Sequence, residues 1–318
     1  MSSSKYIYAN GAIKVAETRL LDKSKLAKLF NAKEEDFKQY LTDMGYGNQA
    51  NNLEGIINSE LVKTKQFLDE VNNNNPVIDL FYLQNDAQNI KVIYKSKIFG
   101  LDHKDNFVDT GVIGKDALIN YIFNEKKDAI PQEYLPLLQD IESKVSNLKN
   151  ARLISAKIDS CVFGFIFKKL EKYKDETLGY YFKLFIDFAN IMTLIRSRAL
   201  NWGLDKFLEM FVEHGTIEQN DFIEAYSLAS DGLVKQFTKY SYGEKLAKGL
   251  KAYSEDGNLS KFEKFLDELR LKLMKDYSLE FFSVGPLIYY YLEKQAEAKN
   301  IRMIYSNKDT EISDLLEY

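Results

Sequence analysis

The stretch from Asp86 to Lys97 reads DAQNIKVIYKSK, and its pattern returns as DFANIMTLIRSR at 187–198 and EAKNIRMIYSNK at 297–308. Counted from the central asparagine, each copy has an acid at −3, isoleucine at +1, isoleucine or leucine at +4 and a cation at +8. The asparagines are 101 and 110 residues apart. This long period indicates three related units. Their acids and asparagines are Asp86, Asn89, Asp187, Asn190, Glu297 and Asn300.

The apolar residues of each copy have the spacing of one face of an α-helix. Only four prolines occur in 318 residues, so few positions force a helix to break. No convincing set of alternating strands is present. The sequence therefore predicts an all-α protein of three helical repeats, 1–106, 107–216 and 217–318, which close around a pseudo-threefold axis.

A second feature recurs upstream of the motif. Glu60, Asp159 and Asp267 precede the three motif asparagines by 29, 31 and 33 residues. Each repeat is thus expected to contain at least two helices, the last of which carries the motif. The many aromatic residues favour core packing. Because three consecutive residues point in different directions from a helix, at least one of Tyr289, Tyr290 and Tyr291 is expected to be exposed.

Composition excludes several classes of protein. Apolar residues make up 45% and charged residues 28% of the chain, which is typical of a globular protein. The net charge of −4 argues against a general nucleic-acid binder. No apolar stretch reaches the roughly 18–20 residues of a membrane span, so a membrane role is expected to depend on a partner. A single cysteine, Cys161, excludes an intrachain disulfide and favours a cytosolic setting.

Residues for catalysis are not apparent in the sequence. His103 and His214 are far apart, and with one cysteine they form no zinc pattern. The segment 111–116, GVIGKD, lacks the glycine spacing and the Lys-Ser/Thr end of a phosphate-binding loop, and no G-x-S-x-G elbow occurs. We therefore predict no catalytic residue, no cofactor and no metal.

The motif acid and asparagine allow two interpretations. Helical isoprenoid synthases bind magnesium through clustered carboxylates, which hard cations require. Here each copy offers one carboxylate and one amide, and no D-D-x-x-D cluster occurs. The favoured interpretation is structural: residues three apart share a helix face and can hydrogen-bond to a neighbouring helix or loop.

The cations at +8, Lys97, Arg198 and Lys308, also allow two interpretations. They could stabilise the C-terminal ends of helices through the helix dipole. Alternatively, pseudo-threefold symmetry would bring them together as a ring of charges at one end of the protein, where they would form a partner interface.

Two terminal segments resemble a known family. They are 8–21, YANGAIKVAETRLL, and 284–304, VGPLIYYYLEKQAEAKNIRMI. Together with Ile158-Asp159 and the motif at 187–198, they resemble the C subunit of the V-type and archaeal-bacterial A/V-type rotary ATPase, which is the d subunit in eukaryotes. The resemblance covers essentially the whole chain.

This resemblance implies a funnel-shaped protein of three similar helical bundles. It implies a non-catalytic rotor subunit at the cytoplasmic face of the membrane, linking the central stalk of the soluble sector to the proteolipid ring and transmitting torque. The coupled ion, proton or sodium, would be selected by the ring. A generic helical scaffold or adaptor is the alternative, and an isoprenoid-synthase-like enzyme is a further one.

Overall fold

A computed structural model of the chain describes residues 4–47, 52–72, 75–102, 107–306 and 311–318. Within these ranges the secondary structure is helical and no strand occurs, which confirms the predicted all-α class. The α-helices are α1 Ser4–Glu17, α2 Lys23–Phe30, α3 Glu34–Asp43, α4 Leu53–Val71, α5 Pro76–Phe99, α6 Lys115–Asn124, α7 Leu135–Val145, α8 Ala151–Tyr173, α9 Glu176–Ala199, α10 Leu204–Met210, α11 Gln219–Ser227, α12 Ser230–Gln236, α13 Gly243–Asp256, α14 Leu259–Met274 and α15 Gly285–Ser306.

Several helices begin at a side chain that accepts a hydrogen bond from a free backbone N–H. Asp22 accepts from the amide of Lys25 at 2.8 Å at the start of α2, and Asn52 accepts from that of Gly55 at 2.8 Å before α4. Asn150 and Asp175 do the same for α8 and α9. Such caps contribute about 1 kcal/mol each, and they fix where these helices begin.

The chain divides into two compact units. Unit 1 contains Met1–Ile78 and Asp267–Tyr318, and unit 2 contains Asp79–Leu266. The division into repeats 1–106, 107–216 and 217–318 and their pseudo-threefold arrangement stay predictions.

Helix α15 is the centre of unit 1. It packs against α1, α2, α4 and the 3₁₀ segment Lys275–Leu279, so both apolar and polar residues along it are buried. Tyr289, Tyr290 and Tyr291 are 4%, 7% and 0% exposed, and the expectation that one of them lies at the surface is wrong. A helix with neighbours on all sides buries consecutive residues.

Helix α9 has the corresponding place in unit 2. The expectation that no stretch is long and apolar enough for a membrane span is wrong for α9, but 67% of its apolar window is buried inside the protein, as in the core helix of a globular unit. The aromatic residues pack as predicted: the rings of Phe81 and Tyr181 are 5.0 Å apart, and those of Phe163 and Phe182 are 6.0 Å apart.

Candidate functional site

The first motif holds the loop that follows its own helix. The side-chain amide of Asn89 donates to the Val108 carbonyl at 2.9 Å, and the Val108 amide donates back to Asn89 Oδ1 at 2.9 Å. One turn earlier on α5, Asp86 accepts from the backbone amides of Val112 at 2.7 Å and Ile113 at 2.9 Å. Two side chains thus fix the path of the backbone into α6.

The second motif repeats this arrangement on α9. Asn190 exchanges the same two hydrogen bonds with Val212, at 2.8 and 3.0 Å. Asp187 accepts from the amides of Thr216 at 3.0 Å and Ile217 at 2.9 Å, and also from the Tyr242 hydroxyl at 2.6 Å. The loop held here leads into α11.

The third motif, in unit 1, uses residues from both ends of the chain. Asn300 exchanges hydrogen bonds with Leu316, at 2.9 and 2.7 Å. Glu297 accepts from the amide of Leu21 at 2.5 Å, at a sequence separation of 276 residues. Leu21 precedes α2, so the loop that completes this motif comes from the N-terminal segment.

Glu297 belongs to a buried charged group. It also accepts from Lys294 Nζ at 2.5 Å and from the Tyr46 hydroxyl, and Lys294 makes a second ion pair with Glu60 at 3.1 Å. Glu297 is 0% and Lys294 5% exposed. Burial and then Glu297 raise the pKa of Tyr46 well above its usual value, so this hydroxyl stays protonated and donates. Lys294 is the partner of opposite sign for both Glu297 and Glu60, which offsets part of the cost of their dehydration.

The upstream acids all pair with lysines on motif helices. Besides Glu60, Asp159 meets Lys91 at 2.5 Å in unit 2, and Asp267 meets Lys299 at 2.6 Å in unit 1. Each upstream acid therefore ties its helix to a motif helix, but the lysines are not equivalent, because two of the three pairs are made by α15 and one by α5.

Two glycines allow the loops to approach the aspartates. A Cβ atom at Gly111 would lie 2.3 Å from Asp86 Oδ1, and one at Gly215 would lie 2.2 Å from Asp187 Oδ1. Real side chains do not tolerate such distances. Gly111 and Gly215 each stand two residues before a donor amide. In the third motif the corresponding residue, two before the donor Leu21, is Arg19, and the acid is the longer Glu297.

We expect Gly215→Ala to destabilise the protein by about 1–3 kcal/mol, because the new methyl group would displace a carboxylate held by three donors. Denaturant unfolding measures the change. The matched control is Gly179→Ala in α9, where nothing lies within 4 Å of an added Cβ. This control should be neutral or slightly stabilising. Equal effects of the two substitutions would contradict the argument from close approach.

The structure gives the +8 cations specific hydrogen-bond partners. Lys97 donates to the carbonyl of Ile122 near the end of α6. Arg198 donates to the carbonyls of Leu228 at 2.7 Å and Ala225 at 3.3 Å, at the end of α11. Lys308 lies outside the described residues. The two described cations thus satisfy C-terminal carbonyls of the helix that follows each loop.

The buried motif acids are suited to holding backbone rather than to chemistry. Burial raises the pKa of Asp187, while its hydrogen bonds from Tyr242, Ile217 and Thr216 lower it. Burial raises the pKa of Tyr242, and the negative charge of Asp187 raises it further. In the described part of the chain no group of three or more His, Cys, Asp or Glu side chains is placed to hold a metal ion. His214 stacks on Phe167 at 5.1 Å, and His103 lies outside the described residues.

The family model described as ATP synthase (C/AC39) subunit matches residues 9–314 of this chain. The chain belongs to this family. The C subunit of the A-type ATP synthase from Methanothermobacter thermautotrophicus is 23% identical to it, covering 95% of this chain and 84% of the relative. The same protein from Pyrococcus furiosus is 25% identical, covering 94% and 85%, and that from Methanosarcina acetivorans is 23% identical, covering 99% and 92%.

Membership of the C/AC39 family confirms the resemblance seen in the sequence. Within this family member the six motif acids and asparagines hold loops, as the structural interpretation predicts. The receiving residues were not predicted: they are Val108, Val212, Leu316 and the donors Val112, Ile113, Thr216, Ile217 and Leu21. A signal for some of them is present, because Gly-Val-Ile at 111–113 and Gly-Thr-Ile at 215–217 recur downstream of the first two motifs.

Proposed function

We propose that this chain is a non-catalytic rotor subunit of an A/V-type ATPase. In this role it links the central stalk of the soluble ATPase sector to the proteolipid ring of the membrane sector and transmits torque for ion translocation. It would lie at the cytoplasmic face of the membrane, held there by its partners.

The match of the family model to residues 9–314 carries this proposal, because it includes all three motif asparagines, residues 9–21 of the first terminal segment and the whole of the second. The relatives, each the C subunit of an A-type ATP synthase, align with 94% or more of this chain. Nearly the whole chain therefore corresponds to these relatives, which favours the same place in the complex.

The geometry of the motifs supports a mechanical role. Each motif ties a buried helix to a loop by at least three hydrogen bonds, and a carboxylate in each accepts backbone donors. Such ties resist displacement of helix against loop, which suits a part that carries load between two partners. The same contacts occupy the carboxylates that a magnesium-dependent synthase would need.

The direct experiment is affinity purification of the tagged chain from its native membranes, followed by identification of the bound proteins. We expect both proteolipid subunits and central-stalk subunits to copurify. Recovery of the chain without either would overturn the proposal and favour a generic helical adaptor.

We propose further that Lys97, Arg198 and Lys308 form a partner interface arranged about a pseudo-threefold axis. An ammonium has three donors and a guanidinium five, so a hydrogen bond to a carbonyl leaves other donors free to contact a partner.

Replacing all three cations by glutamine should weaken assembly and reduce its dependence on salt, since salt screens exposed charges beyond about 8–10 Å. The matched control neutralises the exposed Lys126, Lys168 and Lys251. Unchanged assembly of the first variant across a salt series would leave these cations as helix-end donors only.

A further inference from the structure

Unit 2 contains a half-open pocket that the motif contacts do not use. Its volume is about 610 Å³, which lies within the range of small-molecule sites. It lies beside the C-terminal half of α9, the start of α8 and the segment around α10. Its apolar wall includes Ala156, Ala189, Leu200, Trp202, Met210 and Leu259.

Positive charge dominates the polar part of this lining. Lys95, Arg152 and Arg196 line the pocket, and among the described lining residues Asp159 is the one acid. Asp159 already pairs with Lys91 at 2.5 Å, and Arg196 pairs with Glu263 at 2.8 Å. Within the described residues no acid lies at ion-pair distance from Lys95 or Arg152. An occupant with a negative group would therefore complement the charge of the pocket.

Two polar groups of the lining have hydrogen-bonding capacity that an occupant could use. Ser197 is 0% exposed, and its Oγ has no hydrogen-bond partner among the described residues. Lys95 is half-buried, and its dehydration, followed by repulsion from Lys91, lowers its pKa, although the charge of Asp159 opposes this shift. A buried polar group without a partner is unfavourable, so Ser197 would gain from an acceptor in the pocket, and the partly dehydrated Lys95 would gain from a negative one.

Trp202 adjoins both the cationic and the apolar parts of the lining. The guanidinium carbon of Arg152 lies 4.8 Å and Lys206 Nζ 3.9 Å from the centre of its ring, so cationic and aromatic surfaces meet at the rim. The apolar residues continue from Trp202 toward Met210 and Leu259. A ligand with one anionic end and one apolar end would contact both parts of the lining.

We propose that this pocket binds a small amphiphilic anion, with its carboxylate, sulfonate or phosphate head near Lys95, Arg152 and Ser197 and its apolar body against Trp202. The site is independent of the proposed rotor function. Its ligand class follows from the charge, the apolar wall and the unpartnered Ser197 hydroxyl.

Trp202 is the one tryptophan of the chain, so its fluorescence reports on this pocket directly. The probe is 8-anilino-1-naphthalenesulfonate, and its neutral counterpart is N-phenyl-1-naphthylamine, which has the same ring system without the sulfonate. We expect the sulfonate to quench Trp202 by energy transfer in a saturable manner, to bind about tenfold more tightly than the neutral compound, and to be displaced by dodecanoate more effectively than by dodecanol.

Lys95→Met should weaken binding of the sulfonate about tenfold, because one charge-assisted contact is lost, while binding of the neutral compound stays unchanged. Lys168→Met, an exposed lysine on α8, is the matched control and should change neither. If Lys95→Met does not fold, Arg152→Met at the exposed rim tests the same charge. Equal binding of the two compounds, or unaltered sulfonate affinity in these variants, would show adventitious apolar adsorption and overturn the proposal.

Discussion

Replacement of Asp187 by alanine is expected to destabilise the protein by about 3–5 kcal/mol. The Asp187 carboxylate accepts hydrogen bonds from Thr216, Ile217 and Tyr242, and Asp187 is 0% exposed. The substitution leaves those three donors without their acceptor, at about 1–3 kcal/mol for each buried one. The recovered dehydration cost of the carboxylate offsets part of this loss. Chemical unfolding followed by circular dichroism measures the difference.

Two variants define this experiment. Tyr242→Phe removes one of the three donors and should cost about 1 kcal/mol, since the two backbone contacts remain. Glu171→Ala on the neighbouring α8 removes an exposed carboxylate and should be within about 0.5 kcal/mol of the wild type. An Asp187→Ala protein as stable as the Glu171→Ala protein would contradict the view that the motif acid holds the loop.

The second large effect is a dependence of stability on pH that arises at Glu293. This residue is 8% exposed, its Oε2 has no hydrogen-bond partner among the described residues, and burial, with the charge of Glu17, raises its pKa to about 7. Lys14 and Lys275 oppose this rise, and Glu297 adds to it.

Because the folded-state pKa of Glu293 lies above the ordinary value of 4.5, the native state binds more protons than the unfolded state between these values. The contribution of Glu293 to stability is therefore most favourable below about pH 4.5 and falls as pH rises through 7. Between pH 5 and pH 8 the loss should be about 2–3 kcal/mol.

Glu293→Gln should remove this loss, because the amide does not titrate. We expect the free energy of unfolding of the variant, relative to the wild type, to rise by about 2–3 kcal/mol from pH 5 to pH 8. The exposed Glu70→Gln in the same unit is the matched control and should leave the wild-type pH dependence in place. Parallel pH profiles of wild type and Glu293→Gln would show that Glu293 titrates at its ordinary pH.

The sequence predicted the motif helices well, because apolar spacing and the scarcity of proline act locally. It also predicted that the acid and asparagine of each motif hydrogen-bond to a neighbouring helix or loop. It could not identify the receiving residues, since these lie 19, 22 and 16 residues after the motif asparagines, in loops without a regular period. A backbone amide can donate whatever its side chain, so Val108 and Leu316 carried no signal in their own identity.

The wrong expectation for Tyr289, Tyr290 and Tyr291 has a related cause. Helical geometry fixes the directions of three consecutive side chains, but the number of neighbouring elements decides how many of those directions are buried. Helix α15 has four such neighbours in unit 1, two of which come from the first 30 residues of the chain. Their presence depends on contacts across nearly the whole sequence.

The long-range contact of Leu21 with Glu297 also determines when unit 1 can finish folding during synthesis. Helices α1 to α4 leave the ribosome first, but the helix around which they pack begins at Gly285, after the whole of unit 2. At about 5–20 residues per second, the ribosome needs on the order of ten to forty seconds to make the intervening segment. During that interval apolar faces such as those of Leu29, Leu41 and Ile57 lack their central partner. During synthesis the N-terminal part of the chain is therefore the segment most exposed to chaperones, proteases and aggregation.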